Sequence, residues 1–208
     1  MRKLIAAALL IAAATLARAQ ETKNEIAGTI GRTFISDQGV PNTNFFDNVV
    51  HSGKGLTFEG NYARRLRSFK WGDLAAELPV IINPDVDLNY GLNQVPEGYS
   101  SVFITPAVRV TLLPDMAFSP WFSLGGGIGH FQASKSLVFF GPNPGPRVKN
   151  TGVLEAGFGL DIRLFGLRST KLRVEVRDNW SGEPPINVDT GHTRQHNYYV
   201  GGGLVFHF

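Results

Sequence analysis

The feature that most restricts this chain is a period-two alternation that recurs about eight times. Apolar residues occupy one face, and glycine mixed with charge occupies the other. Successive side chains of a strand point to opposite sides, so this pattern marks strands with two unlike surroundings. In the clearest stretch, Leu154, Ala156, Phe158, Leu160, Ile162 and Leu164 alternate with Glu155, Gly157, Gly159, Asp161 and Arg163. Ile104, Pro106, Val108, Val110 and Leu112 likewise alternate with Thr105, Ala107, Arg109 and Thr111. Leu172, Val174 and Val176 oppose Arg173, Glu175 and Arg177. The pattern returns around Asn24 to Ile35, Leu56 to Tyr62, Leu74 to Val80, Pro120 to Gly129 and Val200 to Phe208. Each stretch approaches the roughly 9–11 residues that cross a bilayer as a tilted strand.

The joins between these segments alternate in length. Short ones lie near Arg65 to Lys70, Leu113 to Ser119 and Phe165 to Thr170. Long joins rich in Pro, Gly and Asn lie near Asp37 to Gly53, Pro84 to Ser100, Gln132 to Asn150 and Ser181 to Asn197. Short turns at one end and long loops at the other characterise outer-membrane barrels. A soluble sandwich has no reason to sort its loops this way.

The two faces carry the opposite assignment from a soluble barrel, which hides its apolar face. Here the polar face offers Glu, Asp and Arg among glycines, which suits the inside of a narrow barrel filled by side chains. The expected lumen network is Glu59, Glu77, Glu155, Asp161 and Glu175 against Arg109, Arg163, Arg173 and Arg177. Its near balance matters, because removing one partner of a buried pair costs about 3–5 kcal/mol. Across the turn near Arg168, setting Arg163 opposite Arg173 would place Asp161 against Glu175. A slip of two residues, pairing Asp161 with Arg177 and Arg163 with Glu175, keeps every face and is the expected register. The network reads either as a polar filling or as a gated, conducting lumen.

The N-terminus carries an export signal. Arg2 and Lys3 precede an apolar run from Leu4 to Leu16, and Ala17-Arg18-Ala19 supplies a small-x-small cleavage pattern. The run is shorter than the roughly 20 apolar residues of a spanning helix. Residues 1–19 are therefore expected to be removed, leaving a barrel domain over residues 20–208. The 20 basic and 17 acidic residues include Arg2, Lys3 and Arg18, so 17 of each remain beyond Ala19. No basic run survives to support nucleic-acid binding. The chain has no cysteine, hence neither disulfides nor a thiolate nucleophile.

The final segment, Gly203-Leu204-Val205-Phe206-His207-Phe208, resembles the terminal-strand signal read by the bacterial barrel-assembly machinery. Gly203, Phe206 and Phe208 stand at its marked positions. Arg173-Val174-Glu175-Val176-Arg177-Asp178 is similar to a seventh strand of the small eight-stranded barrels of the OmpA and OmpX type. The resemblance implies an all-β fold, an eight-stranded antiparallel transmembrane up-and-down β-barrel, in the bacterial outer membrane. It implies contact with outer-membrane lipid and lipopolysaccharide, assembly-machinery contact during biogenesis, and a monomer without cofactor.

Catalytic and ligand chemistry is thin. His130 with Ser134, Ser136 and nearby Glu155 resembles the surroundings used by lipid A deacylases and acyltransferases, but the His-x-Ser spacing of the deacylases is absent. His192 and His196 have the spacing of a helical metal pair, within a loop that lacks a third ligand. Gly125-Gly126-Gly127-Ile128-Gly129 has dinucleotide-loop glycines without the following helix. No catalytic, metal or cofactor residue is therefore assigned. Loop aromatics Phe45, Phe46, Tyr90, Phe139 and Phe140 either contact a partner or pack onto the rim. The resulting expectation is a non-enzymatic barrel whose loops serve structural or interaction roles. A lipid-modifying enzyme, a small channel and a soluble lipocalin-like binder are the alternatives.

Overall fold

The computed structural model describes residues 23–41, 48–164, 166–167 and 169–208. The export segment 1–19, Phe45 and Phe46 lie outside them. The strands are β1 (Asn24–Ile35), β2 (Gln38–Gly39), β3 (Val49–Ser52), β4 (Leu56–Phe69), β5 (Gly72–Asn89), β6 (Gly98–Ile104), β7 (Ala107–Leu112), β8 (Phe118–Ala133), β9 (Val148–Arg163), β10 (Thr170–Gly182) and β11 (Arg194–His207). Neighbours pair antiparallel in the order β1, β4, β5, β6 with β7, β8, β9, β10, β11, and β11 returns to β1. The sheet is thus a closed ring of eight wall positions, one of them shared by β6 and β7. Short strands β2 and β3 extend the wall beyond β5.

The division of that shared position follows from proline. Pro106 brings no N–H to the ladder, and Pro79 on the neighbouring β5 brings none either. Register nevertheless runs through unbroken: Val80 opposes Ile104 and Glu77 opposes Ala107. β6 and β7 are therefore one crossing with a pause at Thr105–Pro106. Closure needs close backbone approach at the seam, where a Cβ on Gly203 would collide with the carbonyl oxygen of Gly28.

Alternation translates directly into facing. Ile30, Phe58, Leu78, Val108, Leu124, Phe158, Val174 and Leu204 point outward and are exposed. Glu59, Glu77, Arg109, Glu155, Arg173 and Arg177 point inward and are buried. Aromatic residues collect on the outer wall at both ends. Phe69 and Trp71 stack at 5.3 Å beside the short-turn end, and Trp180, His196 and Tyr198 stack in series toward the long-loop end. An apolar band between two aromatic girdles is the exterior of a membrane barrel. Within the described residues no helix is long and apolar enough to cross a membrane.

The β9–β10 register corrects the expectation. Arg173 lies opposite Asp161 and Lys171 opposite Arg163, so Arg163 meets neither Glu175 nor Arg173. Asp161 takes Arg173, while Arg177 stands opposite Gly157 and reaches across the lumen. Optimising one strand pair failed because the partners of these charges come from several strands at once.

Candidate functional site

The lower lumen, toward the short turns, is organised around one indole. Trp121 on β8 is almost fully buried, and the guanidiniums of Arg173, Arg177 and Arg109 lie 4.9, 5.0 and 5.6 Å from its ring. Cations over an aromatic face are attracted by its quadrupole, most strongly when water is excluded. The indole N–H also donates to Asp161 Oδ1 at 3.2 Å. Parity with Ser123 places Trp121 inward, a signal that was present in the sequence.

Around that ring run two linked ionic groups. Glu25 accepts from Arg109 Nη1 at 2.7 Å and from Arg173 Nη2 at 2.8 Å, and Arg173 also donates twice to Asp161. Arg177 Nη1 donates to Glu77 at 3.0 Å and Glu155 at 2.8 Å. Its Nε lies 3.2 Å from both Glu59 and Glu175. Arg109 joins the groups through Glu77 at 3.4 Å. Arg173 and Arg177 come from β10 and Arg109 from β7, and the acids they hold come from β1, β4, β5, β9 and β10, so the network ties wall positions together from inside.

Two residues change the expected composition. Glu25 is a member, within the Asn24 to Ile35 stretch but not counted there among the inward charges. Arg163 is not: it is exposed at the end of β9 and donates to the carbonyl of Asp115 at 2.7 Å. Among the described residues the lower lumen therefore holds six carboxylates, Glu25, Glu59, Glu77, Glu155, Asp161 and Glu175, around three guanidiniums. The near balance expected from five acids and four bases does not hold. Neutral donors share the excess. Asn61 donates to Glu77, Thr29 to Glu175 and Ser123 to Glu155, at 2.9, 2.8 and 3.1 Å. Such bonds matter because a buried charge needs its remaining lone pairs satisfied.

Above this lattice the lumen changes character. Small polar groups occupy part of it, where Thr33 donates to Asn83 and Asn83 donates to Ser101, both at 2.8 Å. An apolar cluster adjoins them: Ile81 and Phe103 sit one inward step below Asn83 and Ser101, Phe131 sits opposite Ser101, and Val153 and Tyr99 from the wall join Val40, Val95 and Ile186 from the loops. Tyr90 belongs to this cluster and is buried, so of the loop aromatics it packs rather than presents itself. Phe139 and Phe140 are exposed; Asn93 of the neighbouring loop accepts from both their backbone N–H groups and donates to the Phe140 carbonyl.

The residues considered for catalysis are not assembled. His130 faces outward and shares a 2.7 Å hydrogen bond with Asn150, while Glu155 is inside the lumen against Arg177. Ser134 Oγ donates to the carbonyl of Ser136. His196 lies 2.7 Å from Asp178 on the outer wall, and among the described residues no three metal-ligating side chains gather. Gly125 to Gly129 lie within β8. Gly203, Phe206 and Phe208 lie along the closing seam, the two rings facing out.

No family profile matches the chain, and no curated protein sequence does. Its fold is similar to that of Neisserial surface protein A, over 89% of this chain and 97% of that one, at 9% identity and a TM-score of 0.55. It is also similar to the outer membrane protein OprG of Pseudomonas aeruginosa, at 13% identity and a TM-score of 0.46, over 90% and 98% of the two chains. Ail of Yersinia pestis, solved with the heparin analogue sucrose octasulfate, is similar at 12% identity and 0.44, over 88% and 99%.

Proposed function

We propose that this chain, which has the fold of the small eight-stranded outer-membrane β-barrels, spans the bacterial outer membrane as a closed barrel. Its long loops then present a surface for structural or adhesive contacts outside the cell. The observation that carries the reading is the pairing of an apolar, aromatic-girdled exterior with an ionic lumen packed around Trp121. An exterior of this kind is costly in water and favourable in lipid. An eight-stranded lumen is wide enough to be filled by side chains and too narrow for an open aqueous channel. In this reading the first 19 residues direct export, and Gly203, Phe206 and Phe208 serve recognition by the assembly machinery. The chain is a monomer in contact with lipid and lipopolysaccharide.

The reading separates from the alternatives by two measurements, one on the refolded protein and one on cells. In planar bilayers it should produce no stable conductance steps; regular openings would establish a channel. Lipid A from cells with and without the gene should have the same acyl pattern. A changed pattern would establish an enzyme.

A further inference from the structure

Near the long-loop end, the pairing of β5 with β6 shifts between Asn83 and Val86, and Pro84 and Asp85 bulge from the wall. A bulge bends its strand and opens the ladder locally. The outer side of the wall there holds a groove of about 290 Å³ between β5, β6 and β8. Ser100, Gln132 and Ser134 line it, together with Asp85, Lys135 and Arg147. Its height is set by its neighbours. Ile82, Ile104 and Ile128 below are outward and exposed, whereas the rungs above pair Val102 with His130 and Ser100 with Gln132. The groove thus begins where the apolar band ends, at the level of lipid headgroups.

Asp85 is the carboxylate of its lining, and it makes no ion pair with either cation. Among the described residues neither Lys135 nor Arg147 has a carboxylate within ion-pair distance. Arg147 is nonetheless half-buried, held where its backbone carbonyl accepts from Ala133 N–H at 2.7 Å. Guanidinium and ammonium groups at a partly desolvated site favour a phosphate, which Arg can meet with two parallel hydrogen bonds. The hydroxyls, the amide and Asp85 offer the donors and acceptors that sugar hydroxyls require. The volume sits at the low end of the roughly 300–1,000 Å³ usual for ligand pockets, which suits one sugar ring rather than an oligosaccharide.

We propose that this groove binds the phosphorylated sugar headgroup of an outer-leaflet glycolipid, with Lys135 and Arg147 on the phosphate. The proposal rests on the membrane reading above. The test uses the full chain in phosphatidylcholine nanodiscs doped with bis-phosphorylated lipid A, with bound lipid A counted by native mass spectrometry. The K135Q/R147Q double variant should retain less by about tenfold or more, since it loses both charge-assisted contacts to the phosphate. R67Q, at the opposite rim, should retain lipid A like the wild type. Dephosphorylated lipid A should not be retained, and soluble glucosamine 1-phosphate should not displace the lipid. Undiminished retention by the double variant, equal loss in R67Q, equal retention of dephosphorylated lipid A, or displacement by the free sugar phosphate would each overturn the site. Failure of the chain to enter nanodiscs at all would instead overturn the membrane reading and the site with it.

Discussion

The two halves of the lumen are filled on opposite principles. The lower half is an inverted core: side chains anchored on strands converge from the whole ring, and they meet as ions around Trp121. The upper half resembles the core of a soluble protein, with Val40, Val95 and Ile186 folded down from loops onto Phe103 and Phe131. The contrast follows from what encloses each half. In the proposed membrane reading lipid surrounds the wall below, so apolar side chains gain nothing by turning inward and the inner positions are free for polar groups. Above, water surrounds the loops, and burial of apolar area again drives packing. The ionic half should therefore control whether the ring forms, and the apolar half only whether the loops lie down on it.

Substitutions can break that contrast. The largest effect is expected for Arg177→Met, which leaves Glu59, Glu77, Glu155 and Glu175 without their shared cation. A loss of about 3–5 kcal/mol is expected from removing one partner of a buried ionic group. It should be read as a fall in the temperature at which the compact gel band disappears. Trp121→Leu should follow with about 2–3 kcal/mol, from lost packing and lost cation–π contact, by the same assay. Val95→Ala in the upper half removes two methyl groups' worth of burial, about 1–2 kcal/mol at roughly 0.8 kcal/mol per CH₂. Its cost should fall on the loops alone: faster proteolysis there, with the band transition unmoved. If Val95→Ala shifts the whole transition as Arg177→Met does, the halves are one cooperative unit. Phe140→Ser, at an exposed tip, should change stability by no more than about 0.5 kcal/mol in the same melt.

What could be read from the sequence divides along similar lines. Facing was legible, because a period of two is a local property: Leu154 to Asp161 already separates the outside from the inside. Loop sorting was legible for the same reason, as Pro, Gly and Asn mark each join. Partner choice was not. Arg173 answers both Asp161 on β9 and Glu25 on β1, and Arg177 gathers acids from β4, β5, β9 and its own strand. No argument confined to β9 and β10 could reach that register. Arg163 misled through parity, which is right for facing and silent on whether a residue lies within the lumen or at its rim. Glu25 and Trp121 had the correct parity and lay within the alternating stretches, Glu25 beside Asn24 at the start of one and Trp121 an aromatic on a face that was read for charge. Tyr90 looked like a loop aromatic because the sequence does not say that the loop folds inward.

The central claim is that the wall is inverted: lipid outside, ions inside. The absence of cysteine allows clean single-cysteine spin labels in the full chain reconstituted in bilayers. Labels at Leu124, Phe158 and Leu204, all outward on the apolar band, should collide readily with oxygen dissolved in lipid and scarcely with a water-soluble nickel complex. Ready collision with the nickel complex and protection from oxygen at these three positions would contradict the account.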